Sequence, residues 1–281
     1  MKKDHFKWLT FVSALLFLQI IYVYAFFIEP NWIQVRQIKI TDESLANALS
    51  GLRIVQISDL HVENMGYREV SLIEKINNLK PDIILITGDM VGSNEGSGAL
   101  WDVFALLEPK FHSYAVLGDC DGPLVESVYL KQWDRANVYL LTDKAVRVNL
   151  KQKADTFFWL VGLSSDNLKE TTRDIPGDEP VILANHRPDI VKSAAMQKIN
   201  LVLAGHTHGG QVGIPLLWKL FPYAKRSEYI AGLYKVKDTL LYVNRGISAE
   251  KGLRLFCRPE ITLFEFVPGG NMRYRTLAQD N

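Results

Sequence analysis

Four short motifs in this chain gather residue types that bind divalent metals. They are Asp59-Leu60-His61, Gly88-Asp89, Asn185-His186 and Gly205-His206-Thr207-His208-Gly209-Gly210-Gln211. Two aspartates and four histidines offer mixed oxygen and nitrogen donors, a set that suits a pair of metal ions. The usual chemistry of such a pair is hydrolysis of a phosphate ester. Taken singly, three of the motifs are weak. Asp-x-His can be an ordinary turn, Gly-Asp is a common turn dipeptide, and His186 just ahead of Pro188 suits a helix entry. The Gly-His-Thr-His-Gly-Gly run is stronger. Alternation puts both imidazoles on one face if the strand continues, and the glycines let backbone or phosphate approach closely. The order of the four motifs, each at a strand end, carries the metal reading.

The strands come from apolar runs that directly precede the motifs: 52–58, 83–87, 181–184 and 201–204. Runs this short and this rich in Ile, Leu and Val suit strands covered on both faces. Ligands collect where such strands end and loops begin. Helices are predicted over 70–79, ending at Pro81, over 98–107 ahead of Pro109, and over 124–133 and 190–197. Further strands are predicted over 114–117, running into Gly118-Asp119-Cys120-Asp121, and over 240–243 and 261–266. Three consecutive strands at 138–141, 145–150 and 157–163 read as an antiparallel edge. This order implies an α/β fold of two packed sheets with helices outside, a four-layer αββα sandwich. The segment 92–98, rich in Gly and Ser, reads as a loop at the rim of the site.

The run 6–28 carries a single charge, Lys7 at its edge, and Gln19 is its most polar interior residue. It is long enough to cross a hydrocarbon core of about 30 Å. Trp8 near one end, with Tyr22, Tyr24 and Trp32 near the other, are placed as interfacial anchors. Val23-Tyr24-Ala25 resembles a cleavage site, yet the stretch exceeds a signal-peptide core of about 7–15 residues, so a retained transmembrane helix is expected. Lys2, Lys3 and Lys7 precede it, and a mixed set, Glu29, Arg36, Lys39, Asp42 and Glu43, follows. That bias leaves the amino terminus in the cytoplasm and the catalytic domain outside a bacterial inner membrane, with the cytoplasmic face as the alternative. The expected organisation is an anchor over 1–30, a juxtamembrane connector over 31–50, the catalytic domain over 51–268 and a tail over 269–281.

Composition removes other classes. The 32 basic and 31 acidic residues give no electrostatic footprint for nucleic acid. Two cysteines, Cys120 and Cys257, make no disulfide framework and fit no zinc-finger spacing.

With these motifs in hand, the chain resembles the calcineurin-like metallophosphoesterases over roughly residues 52–266. Within that family it looks most like the membrane-anchored bacterial subgroup of YaeI-like and YkuE-like proteins, near the UDP-2,3-diacylglucosamine pyrophosphatases of lipid A synthesis. Tyr242-Val243-Asn244-Arg245-Gly246, Arg258-Pro259-Glu260-Ile261-Thr262-Leu263 and Gly210-Gln211 support that placement. The resemblance implies that Asp59, His61 and His208 hold one metal, that Asp89 bridges both, and that Asp119, His186 and His206 hold the second. It implies two divalent cofactor ions, Mn²⁺ foremost with Fe or Zn²⁺ as alternatives, sharing a hydroxide that attacks phosphorus in line.

The third motif departs from the family pattern, where Gly-Asn-His is followed by Asp or Glu. Here Gly118-Asp119-Cys120-Asp121 replaces the Asn ligand by Asp and the catalytic His by Cys. An anionic ligand binds metal more tightly and lowers its Lewis acidity. A thiol is a poor hydrogen-bond donor and carries no positive charge. Losing a proton donor typically costs about 10²–10⁴-fold on a leaving group that needs one, and far less on a pyrophosphate or an activated aryl ester. The densely apolar run 214–223, with Lys219, Lys225 and Arg226 around it, suits either a membrane-interface segment or core packing. The expected substrate is a phosphate-containing small molecule or lipid, with UDP-2,3-diacylglucosamine the sharpest candidate. The alternative from another class is a catalytically weakened family member that binds a lipid or a protein.

Overall fold

The computed structural model describes residues 2–92, 97–122, 130–149, 157–214, 227–268 and 276–278. The middle of the 92–98 loop, the first part of the helix expected over 124–133, and nearly all of the apolar run 214–223 with Lys219, Lys225 and Arg226 lie outside the described residues.

Helices α1 (Lys2–Val23), α2 (Glu43–Leu49), α3 (Tyr67–Asn78), α4 (Ser97–Ala105), α5 (Leu130–Arg135), α6 (Leu168–Thr171) and α7 (Val191–Met196) accompany thirteen described strands. These are β1 (Gln34–Ile40), β2 (Arg53–Ile57), β3 (Ile83–Thr87), β4 (His112–Val116), β5 (Val138–Leu140), β6 (Lys144–Asn149), β7 (Phe157–Leu163), β8 (Val181–Asn185), β9 (Leu201–Ala204), β10 (Gly232–Val236), β11 (Thr239–Val243), β12 (Glu260–Phe266) and β13 (Thr276–Ala278). One sheet has the order β13-β1-β12-β2-β3-β4-β5 and the other β10-β11-β9-β8-β7-β6. β2 to β5 run parallel, as do β7, β8, β9 and β11. β12 is antiparallel to β2 and parallel to β1.

Period-2 alternation sorts the side chains into three apolar seams. Ile54, Leu85, Phe158, Leu160, Ile182, Leu203 and Phe264 meet between the sheets. Their neighbours Val55, Ile57, Ile84, Ile86 and Leu263 face outward onto Leu72, Ile73 and Ile76 of α3 and Phe104 of α4. On the far side, Val161, Leu183, Val202 and Leu241 pack with Val191 and Ala194 of α7. Helix, sheet, sheet, helix is the four-layer αββα sandwich. Each fully buried aliphatic side chain contributes about 1.5–3 kcal/mol of transfer free energy, so the inter-sheet seam and the seam under α3 and α4 together carry most of the cohesion.

One expectation needed correction. The strands at 138–141, 145–150 and 157–163 do not form one antiparallel edge. β5 extends the first sheet, parallel to β4, whereas β6 and β7 pair antiparallel in the second. Chain proximity misled here, because β5 to β6 is where the chain changes sheets. The segment expected as a connector carries β1, inside the first sheet, and α2, whose Leu45, Ala46 and Leu49 are buried. The Asp42 carboxylate caps α2 by accepting from the Leu45 amide (3.1 Å). Within the expected tail, β13 pairs with β1.

At the amino terminus, α1 continues through a wider turn (Tyr24–Ile28) and a short tight one (Glu29–Asn31). His5–Asn31 is a helical stretch long and apolar enough to cross a membrane, and only 6% of its most apolar window is buried against protein. This supports a single-pass membrane anchor.

Candidate metal centre

The parallel strands β2, β3, β4, β8, β9 and β11 all end on one edge, and the functional residues sit in the first positions beyond those ends. Sharp turns there hold the backbone in a left-handed conformation at Asp59 (φ 52°), His61 (40°), Asp89 (53°), His206 (72°) and His208 (49°). Side-chain-bearing residues rarely adopt it, and a cluster of them marks a functional constraint. The turns are stitched to one another: the Asp59 amide donates to the Gly88 carbonyl (2.9 Å), His61 to Asp89 (3.0 Å), Gly205 to His186 (3.0 Å) and Ser248 to Asp59 (2.9 Å). Gly246, at φ 71°, lets the loop after β11 lie against Asp59, where a Cβ would come within 2.8 Å of the aspartate's own.

The structure brings all the expected metal residues together in two groups. Asp59, His61 and His208 converge on one side, and Asp119, His186 and His206 on the other. Asp89 lies between them, its Oδ2 3.5 Å from His61 Nε2 and 3.3 Å from His186 Nε2. His208 Nε2 stands 3.5 Å from Asp59 Oδ1, and His206 Nδ1 3.4 Å from Asp119 Oδ2. The far nitrogens of two histidines are tied back to backbone carbonyls, His186 Nδ1 to Thr87 (2.9 Å) and His208 Nδ1 to Ser248 (3.3 Å). That fixes the tautomer and aims the other nitrogen inward, the usual support of a metal-binding histidine.

Electrostatics sort the same groups. Burial pushes the His208 imidazole down to about 4, against the pull of Asp59. Burial and the His186 charge hold His206 below its usual value, so both are neutral, electron-pair-donating rings at pH 7. Burial opposes ionisation of both Asp89 and His186, but their mutual hydrogen bond and charge outweigh it. His186 rises to about 9 and the Asp89 carboxyl falls far below the usual range, helped by the Cys120 amide (2.9 Å). A carboxylate that stays ionised and neutral rings at His206 and His208 are what divalent cations select, and the proton His186 holds against Asp89 is one that a bound cation would displace. The donor set therefore fits two divalent ions.

The third motif sits where expected but in unexpected company. Asp119 is gripped by both arms of the Arg187 guanidinium, Nε at 3.1 Å and an Nη at 2.8 Å. The sulfur of Cys120 gathers with the donor atoms of His61 and Asp89, all within 4.8 Å of one another. Burial first, then the surrounding Asp89, Asp121, Asp119 and Asp59, pushes its thiol up to about 11. Asp121 is wholly buried and accepts from the amides of Met90 (2.8 Å) and Gly118 (2.8 Å), bracing the Asp89 turn.

Sequence reasoning missed Arg187, though a cation directly after a ligand histidine was a usable signal. It also missed Arg254, for which no local pattern exists. Arg254 is fully buried and donates to the carbonyls of Ser248, Cys257, Arg245 and Gly246, bundling the loop that backs His208 and Asp59. Two clefts meet at Asp119. One of about 510 Å³ is lined by His61, Asp89, His208, Arg68 and Lys251, and one of about 620 Å³ by His186, Arg187, Asp166 and Asp189.

Known proteins are similar to this chain in sequence. The phosphodiesterase YaeI of Escherichia coli (strain K12) is 29% identical over 256 residues, covering 87% of this chain and 92% of YaeI. The uncharacterised metallophosphoesterase YkuE of Bacillus subtilis (strain 168) is also 29% identical, over 259 residues, covering 86% and 88%. The UDP-2,3-diacylglucosamine pyrophosphatase LpxG of Chlamydia muridarum (strain MoPn / Nigg) is 26% identical over 305 residues, covering 86% and 92%. The calcineurin-like phosphoesterase family model matches residues 52–210, which run from β2 through the last histidine motif, and so this chain belongs to that family of metal-dependent hydrolases.

Proposed function

We propose that the protein hydrolyses a phosphodiester or pyrophosphate bond in a lipid-linked substrate, with UDP-2,3-diacylglucosamine as the named candidate. The observation that carries the hydrolase reading is Asp89, one carboxylate oxygen of which faces a histidine of each group. In this reading Asp59, His61 and His208 would hold one ion and Asp119, His186 and His206 the other, with Asp89 placed to serve either. The ions, Mn²⁺ foremost with Fe or Zn²⁺ as alternatives, would supply Lewis acidity that activates water and neutralises charge on the phosphoryl oxygens. Overall, a water oxygen joins phosphorus, the bond to the leaving oxygen breaks, and the leaving group departs.

The chain's own residues set which leaving groups are accepted. Cys120 stands where the family places a histidine, and its protonated thiol is a weak donor. Departure without proton assistance favours leaving groups that are already weak bases. A pyrophosphate bond qualifies and an alkyl ester does not. Similarity to the LpxG pyrophosphatase and the membrane anchor support the lipid-linked assignment. A UDP-linked lipid requires the site on the cytoplasmic face, whereas the lysines before α1 favour the opposite side.

The test is a leaving-group series on the Mn²⁺-loaded full chain. A UDP-diacylglucosamine and bis(p-nitrophenyl) phosphate should be cleaved, with simple alkyl phosphates at least about 10²-fold slower. Equal rates on alkyl and aryl esters would contradict it. The Arg187 grip on Asp119 favours one second reading, a metal-holding but catalytically weakened lipid or protein binder. A metal-loaded protein inert on every ester would select that one.

A further inference from the structure

The membrane helix does not hang from this domain by a loose tether; its exit is fastened to the loop that backs the metal site. Glu29, fully buried, accepts hydrogen bonds from the amides of Phe256 (2.8 Å) and Cys257. The Arg254 amide donates to the Ala25 carbonyl (2.9 Å). Arg258 donates to the Trp32 carbonyl (3.1 Å) and lies 3.9 Å over the Trp32 ring. The thiol of Cys257 in turn reaches the carbonyls of His208 (3.6 Å) and Gly209 (3.4 Å).

The cleft of about 510 Å³ runs from the metal residues toward this junction. Its wall at Gly252 lies against Phe26, whose ring is 3.8 Å from where a Cβ would stand. Its opposite wall, Glu63 and Arg68, continues into a groove that includes Asn31 and Tyr67. Around that mouth Phe256 is 64% exposed, Tyr67 76% and Trp32 48%, beside the bare face of the helix. Aromatic residues so placed form an interfacial belt once the helix is inserted. Both clefts carry three carboxylates, Glu63, Asp89 and Asp119 in the one toward the helix, but they differ in their cations. The one toward the helix offers Arg68, held by Glu69 (2.7 Å), and Lys251, whereas the other sets three aspartates against Arg187.

We infer that the cleft opens onto the bilayer the helix enters and takes the phosphoester headgroup of a lipid still seated in that bilayer, Arg68 and Lys251 receiving its anionic oxygens. The inference rests on the hydrolase reading above and adds where the substrate resides and what binds it. Arginine and lysine match phosphoryl oxygens through charge-assisted hydrogen bonds.

The test uses the full chain, Mn²⁺-loaded, in phosphatidylcholine vesicles, with two esters sharing one scissile bond. A diacylglyceryl p-nitrophenyl phosphate resides in the bilayer, and methyl p-nitrophenyl phosphate resides in water. The lipid rate should follow its mole fraction in the bilayer at constant bulk concentration. Arg68→Ala and Lys251→Ala should each cost both esters about tenfold in kcat/KM, the worth of one charge-assisted bond, because the two share the same anionic phosphoryl oxygens. Cleavage of the soluble ester with no preference for the lipid, or a lipid rate blind to surface dilution, overturns the inference alone. An unchanged kcat/KM on both esters in the variants overturns the assignment of Arg68 and Lys251. A protein inert on both overturns the hydrolase reading and this inference with it.

Discussion

Asp119 is one of two positions, with Cys120, where the third motif departs from the expected family pattern, and Arg187 supplies a physical reason for tolerating it. An aspartate beside an anionic substrate adds repulsion, but a guanidinium with two contacts to its carboxylate offsets that charge. The pair therefore approximates the neutral oxygen ligand it replaces. Arg187→Ala should leave an uncompensated carboxylate, tighten the second ion and slow turnover, as metal titration alongside kinetics would show. Asp119→Asn alone should weaken that ion, because the arginine then faces it unpaired. Combined, the two changes should fall well short of additive, as coupled neighbours do; strict additivity would contradict the compensation. Cys120 makes a separate prediction. With the thiol pushed up to about 11, the protonated form persists at ordinary pH and the thiolate grows only as pH approaches that value. Iodoacetamide should label Cys120 of the metal-free protein slowly at pH 8 and faster toward pH 11, with Cys257, buried, as the internal reference. Rapid labelling at pH 8 would contradict it. The metal residues were legible because their types recur at strand ends in a fixed order. Ser248 and Arg254 were not, because their roles depend on loops meeting in space beyond β11, and Arg187, signalled only by its place after His186, shows its partner Asp119 only in the fold.

Among the elements, the loop from Arg245 to Cys257 holds the site together without contributing a metal donor. Its keystone is Arg254, whose guanidinium satisfies four backbone carbonyls in the dark interior behind His208. Arg254→Met preserves volume but takes the donor from the Arg245 and Cys257 carbonyls, at about 1–3 kcal/mol each, while Gly246 keeps the Glu260 amide and Ser248 the His208 ring. The variant should lose thermal stability and bind metal more weakly at the His208 side. An unchanged melting temperature would contradict the keystone role. Strand legibility followed the same logic of local against distant information. β2, β3, β8 and β9 are apolar runs that declare themselves. β1 (Gln-Val-Arg-Gln-Ile-Lys-Ile) alternates polar and apolar and finds its partner β12 more than two hundred positions away. Nothing in its own residues announces that pairing. α2 hides for a related reason, being short and defined by its cap and the core it covers.

At the scale of the whole molecule, anchor, loop and metal centre form one mechanical unit, since Glu29 joins the helix exit to residues that touch His208. The four-layer sandwich was legible from the alternation of strands and helices. The attachment of the anchor was not, because Glu29 reads as an ordinary charge after an apolar run. The lysines before α1 favour an extracytoplasmic domain, which protease added to intact spheroplasts should then digest; full protection until lysis would place it in the cytoplasm and favour the UDP-lipid substrate. The central claim, a dinuclear hydrolytic centre built around Asp89, meets its most direct test in the metal content of the purified full chain. Elemental analysis should find about two transition-metal ions per chain. Asp89→Ala should lose at least one of them together with all hydrolysis of bis(p-nitrophenyl) phosphate. A wild-type protein that holds no transition metal and gains no activity on adding Mn²⁺ would contradict the account.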